Sequence, residues 1–253
     1  MPSRQGHWRI PRLWPDGECF ILGGGPGLRA EKDKDGNYRS ELVERLKGRR
    51  VIAVNMAYRL GDWIPVMFFG DCRWFNWNRA ALNNFAGLKI TSCERHLDKP
   101  GIKVVKRKNG PAGITKNPYE VYWNLSSGGC AINVAVHFGV KRIVLLGYDM
   151  RPVDRPEGDL SYNWHQFYPK KKMGPGKRHD PYTRFMRPFQ RMAADLRSMG
   201  VECVNATPAS ALTVFPIVDP ESVLPSPSPV STGQGESTTP STSSGSCGES
   251  GAT

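Results

Sequence analysis

Short apolar runs recur along the chain, and glycine or a small polar residue follows many of them. These runs cover residues 18–22, 51–54, 66–69, 89–92, 102–105, 142–146 and 201–204. They are too short for typical helices, and their continuous apolar character is typical of strands buried on both faces of a parallel sheet. The pattern therefore predicts seven strands of one sheet.

Helical spacing of apolar residues appears between these runs. It predicts helices over residues 40–46, 73–84 and 127–138, and over 182–199, where Phe185, Phe189 and Met192 share one face. Ser40 and Ser126 or Ser127 are candidate N-caps, because their hydroxyls can accept the free amide groups of a first turn. The alternation of strands and helices predicts an α/β fold: a single Rossmann-like domain with a mostly parallel sheet and helices on both faces.

Composition divides the chain into three parts. Residues 1–17 are basic and aromatic without a period, which indicates an arm anchored by Trp8 and Trp14. Residues 18–218 form the predicted Rossmann-like nucleotide-binding domain. Residues 219–253 are rich in Ser, Thr, Pro and Gly, and we expect a disordered C-terminal tail there.

The charge of the chain is concentrated before that tail. All 35 Lys and Arg residues precede Asp219. Of the 23 acidic residues, four lie at or after Asp219, so residues 1–218 carry a formal charge of +16. Such a charge favours polyanions, phosphorylated substrates or nucleic acid, although a solvated basic surface without a specific partner is the alternative. No apolar run approaches the roughly 20 residues of a membrane span, and no signal-peptide core is present. We therefore expect a cytoplasmic protein.

Six cysteines are spread along the chain without a C-x-x-C pair. We find no cysteine–histidine cluster at metal-ligand spacing, so buried free thiols are expected rather than disulfides, zinc ligands or a nucleophile. The cysteines are Cys19, Cys72, Cys93, Cys130, Cys203 and Cys247. No metal site is predicted.

A glycine-rich turn follows the first predicted strand. Gly23, Gly24 and Gly25 could let backbone amides cradle a phosphate. A dinucleotide fingerprint fails because Leu28 replaces its last glycine, and no Lys-Ser or Lys-Thr closes a P-loop. The second strand ends in Asn55, where an NAD enzyme usually has an acidic residue. Nicotinamide chemistry is therefore disfavoured.

Four predicted strand ends carry glycine or polar residues. They are Gly23, Asn55, Gly70-Asp71 and Gly147-Tyr148-Asp149. Ligands of α/β proteins collect at the carboxyl edge of the sheet, so this set favours a nucleotide-like ligand over purely structural turns.

The stretch 126–129 opens the third helix. Ser126, Ser127 and Gly128 place unpaired amides and the positive end of a helix dipole where no large side chain blocks an anion. The alternative is that the glycines only permit close packing of this helix on the sheet.

The segment 151–180 is polar, basic and aromatic, and its length is typical of a lid or binding loop. His165 is the candidate general base, because the unperturbed pKa of a histidine side chain lies near neutrality and this residue follows the strand that ends at Asp149. Tyr162 and Tyr168 could stabilise a departing phosphate. Alternatively, His165 packs between its aromatic neighbours.

These motifs together resemble an uncharacterised family of Rossmann-like bacteriophage and prophage proteins. More remotely, they are similar to single-domain bacterial sialyltransferases and to flagellin-glycosylation and pterin pyrophosphokinase-like proteins. The shared pieces are Ile21-Leu22-Gly23-Gly24-Gly25-Pro26, Ala53-Val54-Asn55, Gly70-Asp71, Ser126-Ser127-Gly128-Gly129, Leu146-Gly147-Tyr148-Asp149-Met150 and Asn163-Trp164-His165. The resemblance implies nucleotide contacts from Gly23, Gly24, Gly25, Asn55, Ser127 and Gly128, and a base role for His165.

The leading hypothesis is a metal-independent glycosyltransferase whose substrate is a nucleotide-sugar, with no separate cofactor. Asp71 and Ser126 would join the nucleotide contacts, and Asp149 and Tyr162 would assist His165 in transfer to an acceptor hydroxyl, on DNA or a surface glycan. A first alternative is a Mg²⁺-dependent diphosphokinase that uses Asp71 and Asp149. A second is a basic nucleic-acid or virion-binding protein without catalysis.

Overall fold

A computed structural model describes residues 6–151, 153–154, 160–161 and 182–226. The strands within these residues are, in chain order, β1 (Glu18–Leu22), β2 (Glu31–Lys32), β3 (Tyr38–Arg39), β4 (Val51–Val54), β5 (Val66–Phe69), β6 (Leu88–Thr91), β7 (Ile102–Val104), β8 (Lys106–Lys108), β9 (Glu120–Tyr122), β10 (Arg142–Leu146), β11 (Val153–Asp154), β12 (Leu160–Ser161) and β13 (Glu202–Asn205). The helices are α1 (Glu41–Glu44), α2 (Cys72–Asn83), α3 (Ser127–His137) and α4 (Tyr182–Ser198), with 3-10 turns at Pro26–Leu28, Asn55–Leu60, Glu94–His96 and Pro220–Ser222.

Seven parallel strands form the central sheet, in the order β13-β10-β1-β4-β5-β6-β7. From β1 the chain builds outward through β4 to β7, and it then returns to the other side of β1 with β10. The order of the strands therefore reverses between β1 and β10. In open α/β sheets, this switch point is where the loops diverge and leave a crevice for a ligand.

The sheet is buried on both faces, and successive strand residues alternate between two cores. Cys19 and Ile21 of β1 belong to the core that includes residues of α3 and α4. Phe20 and Leu22 face the opposite core, which holds residues of α1 and α2. This two-residue alternation explains why the strands read as continuous apolar runs. The predicted α/β fold, with helices on both faces of a parallel sheet, is confirmed.

Side-chain caps begin three of the helices. Ser40 accepts the amide of Val43, and the side chains of Asp71 and Ser126 cap α2 and α3 in the same way. Each side chain satisfies an amide that the helix itself leaves unpaired.

The N-terminal arm crosses the sheet and packs on its core. The amide of Trp8 donates to Val104 O at 2.7 Å, and Ile10 is 1% exposed. The Trp14 ring lies edge-on to Phe138, with 4.7 Å between the ring centroids. These contacts fasten the arm to the domain.

The folded chain continues past the predicted start of the tail. Arg45 of α1 pairs with Glu221 at 2.8 Å and donates to the carbonyl of Pro225, while Leu224 is buried. Residues of the first part of the expected tail therefore pack beside α1. The remainder of the predicted tail lies outside the described residues.

Several short strands were not predicted. β2 pairs with β3 in antiparallel fashion, and β8 pairs in parallel with β9. Charged residues dominate β8, Lys106–Lys108, so it lacks the apolar signal of a core strand. Among the described residues, no helix has both the length and the apolar character needed to cross a membrane.

Candidate functional site

The four predicted strand ends lie side by side. β10, β1, β4 and β5 are consecutive strands of the parallel sheet, so their carboxyl ends share one edge. In that order, these strands are followed by Gly147-Tyr148-Asp149, Gly23, Asn55 and Gly70-Asp71. The switch point lies between the first two. We call this set of strand ends the carboxyl edge.

The glycine turn after β1 packs tightly on the end of β10. The amide of Gly25 donates to Gly147 O at 2.8 Å, and a Cβ on Gly25 would lie 1.8 Å from Asp149 Oδ2. The amide of Gly27 donates to both carboxylate oxygens of Asp149, at 3.0 and 3.1 Å. These glycines are required because any side chain would separate the two loops.

These bonds revise the expected phosphate cradle. The amides of Gly23, Gly25 and Gly27 already donate to protein acceptors, so their N–H groups are occupied. Gly24 lies between them at the turn. What the turn offers a ligand is close approach to the sheet edge, rather than a ring of free amides.

Asp149 holds the glycine turn in place. It is 5% exposed, and burial raises the pKa of its carboxyl group, while the hydrogen bond from Gly27 works in the opposite direction. Its two oxygens face the turn. The predicted catalytic aspartate therefore acts as a structural acceptor in this geometry.

Asn55 combines an unusual backbone with an unsatisfied side chain. Its φ of +52° lies in the left-handed region, which non-glycine residues adopt at a cost. Its Oδ1 is buried and has no hydrogen-bond partner among the described residues. A buried amide oxygen without a donor costs about 1–3 kcal/mol, so a ligand donor here would stabilise the site.

The start of α3 faces the end of β5. Ser126 Oγ accepts the amide of Gly129 at 3.1 Å, and Ser127 Oγ accepts the amide of Gly70 at 3.1 Å. Within the described part of the chain, the amides of Ser127 and Gly128 have no acceptor. The Tyr148 hydroxyl donates to Gly128 O at 3.2 Å, and a Cβ on Gly128 would lie 3.0 Å from that ring. Close packing on Tyr148 therefore coexists at this helix end with two amides that have no acceptor among the described residues.

Arg107 is a site residue that the sequence did not single out. Its guanidinium lies 4.2 Å from the centroid of the Trp123 ring and donates to the carbonyl of Gly70. Its Nε is buried without a partner among the described residues. In the sequence it sits within a Lys-Arg-Lys run that resembles a solvated basic strand, and only the fold brings it beside α3.

Asp71 caps α2 and pairs with Arg73 at 3.0 Å. Burial alone would raise its pKa, but the hydrogen bonds from Arg73 and the charges of Arg73 and Arg107 lower the pKa below its ordinary value. Three strand spacings separate it from Asp149, which is about 14 Å. Two carboxylates that far apart cannot share one magnesium ion.

The cysteine expectation is correct for three residues and wrong for two. Cys19, Cys130 and Cys203 are buried free thiols, and burial raises the pKa of Cys130 to about 12. Cys72 and Cys93 instead form a disulfide. Both cysteines lie beside His96. Cys93 and His96 have a C-x-x-H spacing, so the expectation that no cysteine and histidine stand at metal-ligand spacing is wrong for this pair. Cys247 lies outside the described residues.

The predicted catalytic residues of the 151–180 segment, His165 and Tyr162, lie outside the described residues, as does Tyr168. Of the other histidines, His137 lies 3.2 Å from both Asn133 Nδ2 and Glu120 O, and burial lowers its pKa. Its ring is therefore held by α3 and β9 inside the fold.

A second opening lies at the other end of the sheet. This groove has a volume of about 440 Å³ and opens beside the residues that precede β10 and β13. Its lining includes four basic side chains, from Arg9, Arg12, Lys116 and Lys141. We call it the amino-edge groove.

No protein-family profile matches the chain, and no curated protein matches it either. Among solved structures it is similar to the MAf glycosyltransferase from Magnetospirillum magneticum AMB-1, with a TM-score of 0.56 and 14% identity over 89% of this chain. The chain spans only 38% of that protein. A second match is the sialyltransferase CstII from Campylobacter jejuni, in complex with the substrate analogue cytidine-5'-monophosphate, with a TM-score of 0.45 and 16% identity over 81% of this chain and 85% of that one. The first likeness establishes a shared fold.

Proposed function

We propose that the protein is a glycosyltransferase that binds a nucleotide-activated sugar at the carboxyl edge. The observation that carries the proposal is Asn55, whose left-handed backbone and unpartnered buried oxygen lie one strand from the switch point. Backbone strain of this kind concentrates at binding sites. An amide oxygen can accept from a base, ribose or sugar, and the strain orients it.

The charge of the donor phosphate would be met by two groups on the neighbouring strand ends. The open amides of Ser127 and Gly128 provide the positive end of α3. Arg107, fixed by Trp123 and Gly70, supplies a guanidinium beside them. Electrostatic stabilisation of the leaving phosphate is the largest contribution we expect from these residues.

In the proposed reaction, an acceptor hydroxyl attacks the anomeric carbon and the bond from that carbon to the phosphate oxygen breaks. His165 takes the hydroxyl proton and Tyr162 stabilises the departing phosphate, roles that stay predictions from the sequence. The electron pair of the broken bond leaves with the nucleotide phosphate, whose charge Arg107 and α3 offset. Asp149 would support the turn beneath the donor.

The alternative of Mg²⁺-dependent diphosphate transfer receives less support. Its two candidate ligands, Asp71 and Asp149, are engaged with Arg73 and Gly27 respectively. They also follow strands at opposite ends of the four-strand set. We infer that donor phosphate charge is met by Arg107 and backbone amides, which makes transfer metal-independent.

Calorimetry with CMP-, UDP- and GDP-sugars tests the proposal. We expect one of the three donors to bind, and Asn55→Gly to weaken it roughly 10-fold or more by removing a buried hydrogen bond while keeping the left-handed backbone. Asn37→Gly is the matched control, since Asn37 lies in an exposed turn. Binding of no donor would overturn the proposal, and full binding by Asn55→Gly would place the pocket elsewhere.

A second function, binding of an acidic polymer, is favoured by the amino-edge groove. Four basic side chains line it, and residues 1–218 carry +16. Such a surface attracts polyphosphate backbones with a steep salt dependence. If DNA is the acceptor, the groove would hold the acceptor of the transfer reaction. Product analysis of a reaction with DNA as acceptor would then detect a glycosylated nucleoside.

A further inference from the structure

Three side chains with metal-binding atoms converge at the start of α2. Cys72 is the first residue of that helix, and Cys93 and His96 lie on the segment that follows β6. One ligand atom from each residue lies within 4.8 Å of the other two. We call these three residues the Cys-Cys-His cluster.

His96 is the member of the cluster that its surroundings do not explain. It is 3% exposed, and neither ring nitrogen has a hydrogen-bond partner among the described residues. Its ring packs 4.2 Å from Phe75 and 6.0 Å from Phe69, centroid to centroid. A buried imidazole normally donates or accepts at least one hydrogen bond, so an unpartnered one beside two sulfurs indicates an absent ligand.

We propose that the Cys-Cys-His cluster is a redox-controlled site for a zinc-like divalent cation, filled when the two cysteines are reduced and emptied when they form the disulfide. Two thiolates and one imidazole are a donor set typical of Zn²⁺, and they leave a fourth position for water or another ligand. Of the three residues, Cys72 is partly exposed, and Cys93 and His96 are buried.

The backbone accommodates both states. The Cα atoms of Cys72 and Cys93 are 5.5 Å apart, and zinc–sulfur bonds of about 2.3 Å place two sulfurs of a tetrahedron about 3.8 Å from each other. Rotation of the two side chains is therefore enough to open the disulfide around an ion. In either state, α2 stays linked to the segment after β6.

The redox step balances with a dithiol and a peroxide as reaction partners. A dithiol reductant gives two electrons and two protons to the disulfide and becomes a disulfide itself. Zn²⁺ then displaces the two thiol protons. In the reverse direction, hydrogen peroxide takes two electrons from the thiolates, forms two waters with two protons, and the cation is released.

Titration of the full chain with Co²⁺, after anaerobic reduction, tests the site. We expect one Co²⁺ per chain, with the d–d bands of a tetrahedral complex and a thiolate charge-transfer band that peroxide abolishes. Cys93→Ser should weaken the charge-transfer band, because only the Cys72 thiolate remains, and His96→Gln should bind at least about tenfold more weakly, since even outer-shell changes cost that much. Cys203→Ala and Cys247→Ser are controls that should bind as the wild type does.

A second measurement covers the case in which Cys93→Ser fails to fold. Wild-type protein, reduced and supplied with Zn²⁺ alone, is alkylated and analysed by mass spectrometry. Protection of both Cys72 and Cys93 by Zn²⁺ supports the proposal. Equal alkylation with and without Zn²⁺ in the folded, reduced protein, or a charge-transfer band of wild-type intensity in Cys93→Ser, would overturn it.

Discussion

The two edges of the central sheet differ in the groups that they present to a ligand. At the carboxyl edge, glycines allow loops to touch and Asn55 is strained. Buried polar atoms of Asn55 and Arg107 have no hydrogen-bond partner in the described part of the chain. At the amino edge, basic side chains line an open groove. Backbone strain and unsatisfied hydrogen bonds therefore favour a defined small ligand at the first edge, whereas charge alone favours a polymer at the second.

The largest expected effect comes from closing the space between the β1 and β10 loops. In Gly25→Ala, the new Cβ would lie 1.8 Å from Asp149 Oδ2 and 2.7 Å from Gly147 O, a backbone atom that cannot move aside cheaply. We expect a loss of about 2–3 kcal/mol in the free energy of unfolding, measured by urea denaturation. Donor binding should fall with it.

Gly110→Ala is the control for that substitution, because the nearest atom to its new Cβ is 3.9 Å away. Equal stability of the two variants would mean that the glycine turn is not held against β10, and the carboxyl edge would lose its main structural feature.

The next effect concerns the charge beside α3. Arg107→Gln should weaken donor binding roughly 10- to 100-fold by calorimetry, since a hydrogen bond to a charged group contributes about 1.5–3 kcal/mol. Arg107→Lys should recover part of the loss because it restores the charge without the planar fork.

The neighbouring Lys106→Gln is the matched control, as Lys106 is exposed on the same strand. If Lys106→Gln and Arg107→Gln weaken donor binding equally, the effect comes from long-range attraction, and the proposed contact between Arg107 and the donor phosphate is wrong.

A smaller effect is expected at the other edge. The double variant Lys116→Gln/Lys141→Gln should reduce the slope of log K against log salt for a DNA duplex by about one unit per lysine. It should leave donor binding unchanged. Lys34→Gln/Lys103→Gln removes the same charge from exposed positions outside the groove. Identical slopes for the two double variants would mean that DNA binding depends on the overall surface charge and not on the groove.

The strands of the sheet were predictable because burial on both faces produces continuous apolar runs. β1, β4, β5 and β10 match their predicted bounds, since each depends on local sequence alone. The charged strand β8 was missed because its residues carry no apolar signal. The sequence also indicated which strand ends carry polar groups, and the strand order placed them on one edge.

The roles of individual site residues depended on contacts that no local pattern encodes. Asp149 meets Gly27 across 122 positions, and Arg107 meets Gly70 across 37. The left-handed backbone of Asn55 and the Cys72–Cys93 pairing are equally products of the tertiary fold. A strand-end aspartate in the sequence predicts chemistry, but the structure gives its oxygens to a glycine turn.

The smallest expected effect tests whether Asp149 serves only as the hydrogen-bond acceptor of the glycine turn or also takes part in the reaction. Burial raises the native pKa of Asp149 above the ordinary 3.8, although the Gly27 hydrogen bond offsets part of the rise. The native protein then keeps a proton that the unfolded chain has lost, so this group stabilises the fold at low pH and loses that contribution as pH rises through the native pKa. Asp149→Asn cannot titrate, and its free energy of unfolding should fall less than that of the wild type over this interval.

Urea denaturation from about pH 4 to about pH 7 measures that difference. The exposed Asp35→Asn variant is the control and should follow the wild-type curve. If Asp149→Asn instead follows the wild type at every pH but loses sugar transfer while still binding donor, the carboxyl group acts in the reaction. The carboxyl edge would then gain a catalytic acid or base, and Asp149 would no longer be only the acceptor that holds the glycine turn.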